Sequence, residues 1–436
     1  MHFPVSALAA LALVNVASTA PTAGEIQARA PDSPVGLHTA MIAKGKTWFG
    51  AALTIRNPVD AQERAIVDKH ADFGSITPEN AMKWESTEPQ RGVFTFDGAD
   101  AIRDYAATQK KQIHCHTLVW HSQLPPWVAA GKFDNATLIS IMYDHIKAVA
   151  GRYKGSCTRW DVVNEALNED GTYRSSPFYD TIGEAFIPLA FKFASEIDPN
   201  AKLFYNDYNL EYNQVKTDGA ARIVALVKSY GIKISGVGFQ AHLTSEPTPT
   251  SGDITPSQAI LEAALKKMTV QGVSVAYTEL DVRMLTPATP AKLAVQAESY
   301  ARVVRSCMAV EKCVGITIWG ITDKYSWIPG VFKGEGSALV WDENYQAKPA
   351  YAAMLKAIQE SPNPRKCNAD NCLRDLRSSS IFGRLEESQA FCATYYTQYI
   401  VTDVTLIKPY AVSNCAGDVV SRVSSACSCL PTASAA

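Results

Sequence analysis

Short runs of apolar residues alternate with longer amphipathic segments from about residue 37 to residue 360. The short runs are typical of buried strands, whereas apolar residues recurring every three or four positions are typical of helices. Strands that alternate with helices predict βαβ units and a parallel sheet. Eight strands are predicted, at residues 48–53, 73–77, 112–120, 158–165, 202–206, 236–241, 274–279 and 314–319.

Eight strands with their intervening helices predict an α/β fold, a closed (β/α)8 or TIM barrel over residues 37–360. The alternative is an open doubly wound sheet, which carries a glycine-rich phosphate loop after its first strand. The segment after Phe49-Gly50 has no such loop, so the barrel is preferred. The well-marked helices are residues 99–109, 138–153, 179–197, 216–230, 257–271 and 291–310.

The first twenty residues contain no Asp, Glu, Lys or Arg, and they end in a stretch of small residues after an apolar run. This pattern predicts a secretory signal peptide over residues 1–20, with a short buried helix as the alternative. The apolar run is too short to span a bilayer. We therefore expect a secreted, extracellular protein whose residues 21–36 form a flexible or processed leader.

Six of the ten cysteines lie in the last seventy residues. Such density predicts a small disulfide-rich module over residues 367–436, joined by a proline-rich linker at residues 361–366. Three bridges are expected, and their pairing is left open because six cysteines allow fifteen pairings. Three tyrosines of the module could bind polysaccharide or could form its core. They are Tyr395, Tyr396 and Tyr399.

Lysine and arginine (41) nearly balance aspartate and glutamate (43), which leaves a formal charge of -2. No overall field therefore favours nucleic acid or an anionic membrane. We expect a neutral substrate, no nucleic-acid or membrane partner, and a monomer.

Polar residues mark the carboxyl ends of most predicted strands, which is where barrel enzymes carry their catalytic groups. Taken singly, a glutamate there is usually a surface or salt-bridge residue, and a lone histidine is usually a packing residue. Together they would be costly to bury without a role. The set is Glu79, Asn80, His116, Trp120, His121, Asn164, Glu165, Asn206, Asp207, Gln240, His242, Glu279 and Trp319.

Glu165 and Glu279 close the fourth and seventh predicted strands. Retaining hydrolysis of a glycosidic bond needs two carboxyls about 5 Å apart, one as nucleophile and one as acid. Two charges at that distance repel by roughly 3 kcal/mol at an effective dielectric near 20, enough to raise one pKa by about 2 units. The repulsion is symmetric, so it does not say which glutamate is the acid.

Three segments around these residues resemble the signatures of glycoside hydrolase family 10, the barrel endo-β-1,4-xylanases. The resemblance extends over residues 37–360 and implies that Glu165 is the general acid/base and Glu279 the nucleophile. No cofactor is implied, and the implied partners are xylan and xylo-oligosaccharides. The segments are Trp160-Asp161-Val162-Val163-Asn164-Glu165-Ala166, Val275-Ala276-Tyr277-Thr278-Glu279-Leu280-Asp281 and His116-Thr117-Leu118-Val119-Trp120-His121.

The resemblance also implies binding roles. Asn164 is expected to hydrogen-bond the sugar 2-hydroxyl, and His242 is expected to hold Glu279. Trp319 and Trp327 would cover the central subsites, with core packing as the alternative. Six further residues would line the glycone side, namely Glu79, Asn80, Lys83, His116, Trp120 and Gln240.

The remaining cysteines and the glycosylation sequon complete the expectations. The resemblance implies a disulfide between Cys307 and Cys313. Cys115 stands where the family usually has glycine, and we expect Cys115 and Cys157 to be thiols too far apart to bridge. Asn135 begins the only Asn-x-Ser/Thr sequon, so a glycan is expected there.

No cluster has metal-ligand spacing, since His116 and His121 lie on opposite faces of a strand, so no catalytic metal is expected. Two other functions stay open beside the xylanase. One is a β-1,4-glucanase on the same scaffold, because xylose differs from glucose by one hydroxymethyl group. The other is a non-catalytic wall-binding protein, which the intact glutamate pair disfavours.

Overall fold

The computed structural model describes residues 35–362, 371–378, 380–398, 407–415, 419–427 and 430. The predicted signal peptide, nearly all of the predicted leader and residues 363–366 of the predicted linker lie outside these ranges. The chain divides into two compact units, one ending at Ser361 and the other beginning at Pro362.

The first unit is a closed barrel of eight parallel strands, which confirms the predicted fold. Closure is made by β1, which pairs in parallel with both β2 and β9. Two short strands, β7 and β10, pair with the extended upper part of β8. The strands are β1 (Trp48–Leu53), β2 (Ser75–Pro78), β3 (Gln112–Trp120), β4 (Cys157–Asn164), β5 (Lys202–Asp207), β6 (Gly236–Phe239), β7 (His242–Thr244), β8 (Ser274–Leu285), β9 (Cys313–Ile318) and β10 (Glu335–Gly336).

Helices surround the strands and bury their apolar faces against them. Side-chain caps fix several helix starts; Asp134, for example, accepts the Thr137 N–H at 2.8 Å. The helices are α1 (Leu37–Ala43), α2 (Ala61–Val67), α3 (Trp84–Thr87), α4 (Asp97–Thr108), α5 (Pro126–Ala129), α6 (Asn135–Arg152), α7 (Pro177–Ile182), α8 (Phe186–Ile197), α9 (Val215–Ser229), α10 (Gln258–Thr269), α11 (Pro290–Ala309), α12 (Ile328–Val331) and α13 (Pro349–Glu360), with 3-10 turns at Leu210–Tyr212 and Asp323–Tyr325.

Three predicted elements differ from the structure. The strand predicted over residues 274–279 continues to Leu285, because its upper part pairs with β7 and β10. The helix predicted over residues 179–197 is two helices, α7 and α8, because Gly183 adopts φ 75° at the end of α7 and breaks the helix. The sixth strand stops at Phe239 rather than at residue 241, because Ala241 adopts φ 60° and leaves the strand conformation. His242 consequently begins the separate strand β7.

The prediction that Cys115 and Cys157 are unpaired thiols is wrong. Their sulfurs are bonded, with the Cα atoms 5.7 Å apart. Cys115 is the fourth of nine residues in β3, and Cys157 opens β4 opposite Ile113. Cys115 therefore lies only two residues beyond the strand partner of Cys157, and both cysteines lie near the amino ends of their strands. Cys307 and Cys313 form a second disulfide, between α11 and β9.

The second unit is helical in its described part. Two disulfides hold it, Cys372 to Cys415 and Cys392 to Cys427, around a small apolar core. Cys367, Cys429 and Tyr399 lie outside the described residues, and so does any third bridge between those two cysteines. The helices are α14 (Asn371–Leu376), α15 (Arg384–Gln398), α16 (Pro409–Asn414) and α17 (Val419–Cys427).

Among the helices that the structure describes, none combines the length and the apolar character needed to cross a bilayer.

Replacing Cys115 and Cys157 together by alanine should destabilise the barrel. This bridge closes a loop of 42 residues, so its loss should lower the free energy of unfolding by about 2–4 kcal/mol, measured by urea denaturation. The matched control is the double alanine variant of Cys307 and Cys313, whose cysteines are also buried but only six residues apart. It should lose less, and the opposite order would contradict the loop-closure argument.

Candidate active site

The carboxyl end of β4 and the middle of β8 bring Glu165 and Glu279 to the same end of the barrel. Glu165 directly follows β4, and Glu279 lies inside β8 where β6 ends beside it. Glu279 is 5 % exposed, while Glu165 is half-buried. The two carboxylates face the barrel axis from opposite sides, with β5 and β6 between their strands.

Asn206 links Glu279 to Asn164, which in turn donates a hydrogen bond to Glu165. Its amide nitrogen donates to Glu279 Oε1 at 2.7 Å and to Asn164 Oδ1 at 2.9 Å, and its oxygen accepts from Thr278 at 2.6 Å. A Cβ on the neighbouring Gly238 would lie 2.1 Å from Asn206 Oδ1, so only glycine leaves room for this amide. The sequence located Asn206 at a strand end but assigned it no role.

The Glu165 carboxylate accepts hydrogen bonds from uncharged N–H donors, and His121, whose pKa burial lowers, lies with its Nδ1 4.0 Å from Oε2. Its Oε2 accepts from the Trp120 indole at 2.9 Å, and its Oε1 accepts from Gln240 at 2.9 Å and Asn164 at 3.2 Å. The residue adopts φ 54°, a left-handed conformation that costs a non-glycine residue about 1–2 kcal/mol. Arg174 donates to the Glu165 carbonyl at 3.1 Å and helps to fix that conformation.

Glu279 faces a charged donor instead. His242 lies between two carboxylates, with Nε2 3.1 Å from Glu279 and Nδ1 2.9 Å from Asp281. Trp327 also donates to Asp281, at 2.9 Å, which fixes the orientation of that carboxylate. Burial acts to lower the pKa of His242, but the charge of Asp281 and the two hydrogen bonds raise it to about 10. The ring is therefore cationic at neutral pH.

The surroundings break the symmetry between the two glutamates. Burial acts to raise the pKa of Glu279, but the hydrogen bond from His242 and the charges of His116 and His242 hold it below its ordinary value. Glu279 is thus ionised at neutral pH. Charge repulsion alone could not show which carboxyl carries the charge.

Lys83 connects the second strand to the same centre. It is 7 % exposed, donates to Asn80 at 2.9 Å and to Gln123 at 2.6 Å, and lies 4.8 Å from the centre of the Trp120 ring. Burial lowers its pKa, against the charges of Glu279, Glu79 and Glu165. The side chain of Glu79 accepts from Thr54 at 2.6 Å. Two of the predicted glycone-side residues, Asn80 and Trp120, are therefore in contact with Lys83.

Asp161 is a buried carboxylate that the sequence analysis gave no role. It pairs with His114 at 2.8 Å and with His116 at 2.9 Å, and these partners hold its pKa down at about 2 although burial acts to raise it. The signal was an acidic residue within an apolar strand, which requires a buried partner. Asp161 fixes the ring of His116 and places charge beneath Glu279.

The two tryptophans lie over the histidines. Trp319 is 7 % exposed, with its ring centre 5.4 Å from that of His116. Trp327 is half-buried, 4.9 Å from the His242 ring. The structure thus brings all twelve predicted catalytic and binding residues together at one end of the barrel. Within the ranges described, no three His, Cys, Asp or Glu side chains gather in a way that could hold a metal ion.

Residues 36–357 match the model of Glycosyl hydrolase family 10. The chain belongs to glycoside hydrolase family 10.

Relatives named endo-1,4-beta-xylanase are similar over nearly their whole length. Endo-1,4-beta-xylanase 2 of Aureobasidium pullulans is 60 % identical over 361 residues, which are 82 % of this chain and 99 % of that protein. Endo-1,4-beta-xylanase 1 of Gibberella zeae is 59 % identical over 324 residues, 74 % of this chain and 91 % of that protein.

Solved structures of the family share the fold. The endo-1,4-beta-xylanase XylE of Penicillium canescens has a TM-score of 0.71 at 36 % identity, covering 76 % of this chain and 99 % of that one. A family 10 xylanase from a Bispora species, solved with xylobiose, has a TM-score of 0.69 at 36 % identity, covering 74 % and 99 %.

His242 should make the stability of this family 10 barrel fall as the pH rises. Its pKa is about 10 folded against 6.5 unfolded, so its stabilisation is complete below pH 6.5 and is lost as the pH rises through 10. Between pH 7 and 10 the wild type should lose up to about 1.4 kcal/mol per pH unit more than His242→Asn, measured by urea denaturation.

The matched control is His145→Asn. Burial lowers the pKa of His145, against the effect of Glu88, so its proton balance differs between the folded and unfolded states only below about pH 6.5. This variant should keep the wild-type slope from pH 7 to 10. Equal slopes in the wild type and His242→Asn would contradict a cationic His242.

Proposed function

We propose that the chain is an endo-1,4-β-xylanase that hydrolyses internal β-1,4-xylosidic bonds of xylan with retention of configuration. The observation that carries the proposal is the unequal setting of the two carboxyls. Glu279 faces cationic His242, whereas the Glu165 carboxylate accepts its hydrogen bonds from the neutral groups of Trp120, Gln240 and Asn164. Family membership and the names of the relatives support the reaction and the substrate.

In the first step Glu279 is the nucleophile. It is ionised, and its two oxygens are held by Asn206 and His242, so one lone pair can attack the anomeric carbon. The bond from that carbon to the leaving sugar breaks as Glu165 gives its proton to the leaving oxygen. The product is a covalent glycosyl-enzyme on Glu279.

In the second step Glu165 changes from acid to base. It takes a proton from water, whose oxygen attacks the anomeric carbon and releases the Glu279 carboxylate. Neutral donors suit a group that must exist in both protonation states, because Trp120, Gln240 and Asn164 can hydrogen-bond an acid or a carboxylate without fixing its charge. Two inversions give net retention.

The substrate is recognised by amides, charges and indole faces. Asn164 donates to Glu165 and accepts from Asn206. Its amide would contact the 2-hydroxyl of a sugar bound at the cleavage point. Asn80, Lys83 and Gln240 offer groups to other hydroxyls. Trp319 and Trp327 would pack on the apolar faces of the rings.

The remaining expectations from the sequence join the proposal. Disulfides in both units support secretion, because cytosolic thiols are kept reduced. Asn135 is exposed at the first turn of α6, and its amide donates to the Thr181 carbonyl at 3.1 Å, which leaves a second N–H position for a glycan. We propose a secreted monomer with residues 37–360 as the catalytic domain and residues 367–436 as a separate module.

Glu279→Ala should lose at least about 10³-fold in kcat on soluble xylan, because no nucleophile remains, measured as reducing-sugar release. Glu165→Ala should lose about 10²–10⁴-fold on xylan. Added azide should separate the roles: it should give a β-xylosyl azide with Glu165→Ala and an α-xylosyl azide with Glu279→Ala.

The control for these variants is Glu360→Ala, an exposed carboxylate at the end of α13. It should keep wild-type activity. Undiminished xylan hydrolysis by Glu279→Ala, or exchange of the two azide products, would contradict the assigned roles.

Xylan should be preferred over cellulose. Comparing kcat/KM for soluble xylan and carboxymethyl cellulose should show a preference of at least about 10-fold, because an added hydroxymethyl group must be fitted in each occupied subsite. A higher value on the cellulose derivative would favour the β-1,4-glucanase alternative. Inactivity on both, in a folded wild type, would favour the wall-binding alternative.

A further inference from the structure

The segment Gln240-Ala241-His242 touches both catalytic carboxylates. Gln240 donates to Glu165 at 2.9 Å, and His242 lies 3.1 Å from Glu279. Ala241, between them, adopts φ 60°, in the left-handed region that residues with a Cβ avoid. Such a conformation persists only where the surroundings hold it.

The side chain of Glu211 keeps this segment in place through a hydrogen bond. Its Oε1 accepts the Ala241 N–H at 2.6 Å, from a side chain that is 1 % exposed. The left-handed turn at Ala241 directs its N–H away from the strand ladder, although Gln240 N still bonds to the Asp207 carbonyl and Asp281 N to the Ala241 carbonyl. The Glu211 carboxylate therefore accepts the N–H that, in a regular sheet, would donate to a carbonyl of the neighbouring strand.

Glu211 is itself rigidly presented. It is the middle residue of the 3-10 turn Leu210–Tyr212, which is flanked by Asn209 at φ 59° and Asn213 at φ 56°. Thr217, at the start of α9, donates to the Leu210 carbonyl at 2.9 Å and anchors the turn to that helix. The position of the turn is thus fixed by contacts other than its bond to Ala241.

We propose that Glu211 is a positioning residue for both catalytic glutamates: by holding the Ala241 N–H, it sets the places of Gln240 and His242 and, through them, of Glu165 and Glu279. This inference rests on the proposed retaining hydrolysis. The buried carboxylate of Glu211 would thus align both the acid, Glu165, and the nucleophile, Glu279.

The cost of burying Glu211 supports a positioning role. Its Oε2 is buried and has no hydrogen-bond partner within the described part of the chain. Burial raises its pKa to about 7, against the bonds from its own N–H and from Ala241 N–H and the charges of His242 and Lys216. A carboxyl kept in such a place is poorly explained by stability alone, because an apolar side chain would avoid the desolvation.

Three variants separate positioning from packing. Glu211→Gln keeps an acceptor oxygen at the same reach, Glu211→Met keeps the length without a comparable acceptor, and Glu211→Asp keeps the charge on a side chain one methylene shorter. The matched control pair is Asp72→Asn and Asp72→Leu. Asp72 is also buried and accepts a backbone N–H, from Leu37 at 3.1 Å, but it lies before β2 at the amino end of the barrel.

The readout is kcat/KM for two aryl β-xylobiosides, corrected for active sites titrated with a mechanism-based inactivator. Cleavage of the dinitrophenyl glycoside needs the nucleophile but no acid, whereas cleavage of the phenyl glycoside needs both. Glu211→Met should lose at least about 10-fold on the first and at least about 10-fold more on the second, since small misplacements have such effects. Glu211→Gln should remain within about 3-fold of wild type on both.

Glu211→Asp should show the same two-substrate pattern with smaller losses, and it carries the test if Glu211→Met does not fold. Asp72→Leu should lower Tm relative to Asp72→Asn without changing either kcat/KM. Equal kcat/KM in Glu211→Met and Glu211→Gln, wild-type values in Glu211→Asp, or a loss confined to one substrate would overturn the proposal. An inactive wild type would instead refute the proposed function.

Discussion

Closure of the barrel is the constraint on which the site depends. The parallel pairing of β1 with β9 makes the eight strands a ring, so that strand ends far apart in sequence meet at one opening. Glu165 and Glu279 are brought together in this way, and Asn206 from an intervening strand can bond to both sides of the site. In an open sheet the ends of the fourth and seventh predicted strands would lie along one edge, and the two glutamates would not face a common centre.

Within that ring, the chemistry follows from how each charge is paired. Asp281 makes His242 cationic, and His242 in turn keeps Glu279 ionised, whereas Glu165 has only neutral donors. Buried charges must be compensated, so each pairing also fixes a geometry. Glu211 would add one more interaction to this series. It would hold the backbone at Ala241, whose neighbours Gln240 and His242 contact the reacting carboxyls.

The eight strands were predictable to within a few residues, apart from the extension of β8, because alternation of apolar strands with amphipathic helices is a local signal. The glutamate pair could also be predicted from the sequence, since each residue stands at the end of a predicted strand inside a specific motif. Breaks at Gly183 and Ala241 were missed, because a positive φ is set by the surrounding hydrogen bonds as much as by residue type. The Cys115–Cys157 bridge was missed because the register of β3 against β4, which places Cys115 near the start of its strand and close to Cys157, was not available from the sequence.

The sequence by itself determined the element order, the barrel and the family motifs that contain the two glutamates. All of these depend on local composition and on the spacing of residues along the chain. Tertiary structure alone decided that Glu279 is held ionised, that Asn206 links Glu279 to Asn164, and that Glu211 holds Ala241. Those facts are hydrogen bonds between residues 30 or more positions apart. Their existence depends on register and burial, which arise only when the ring of strands is complete.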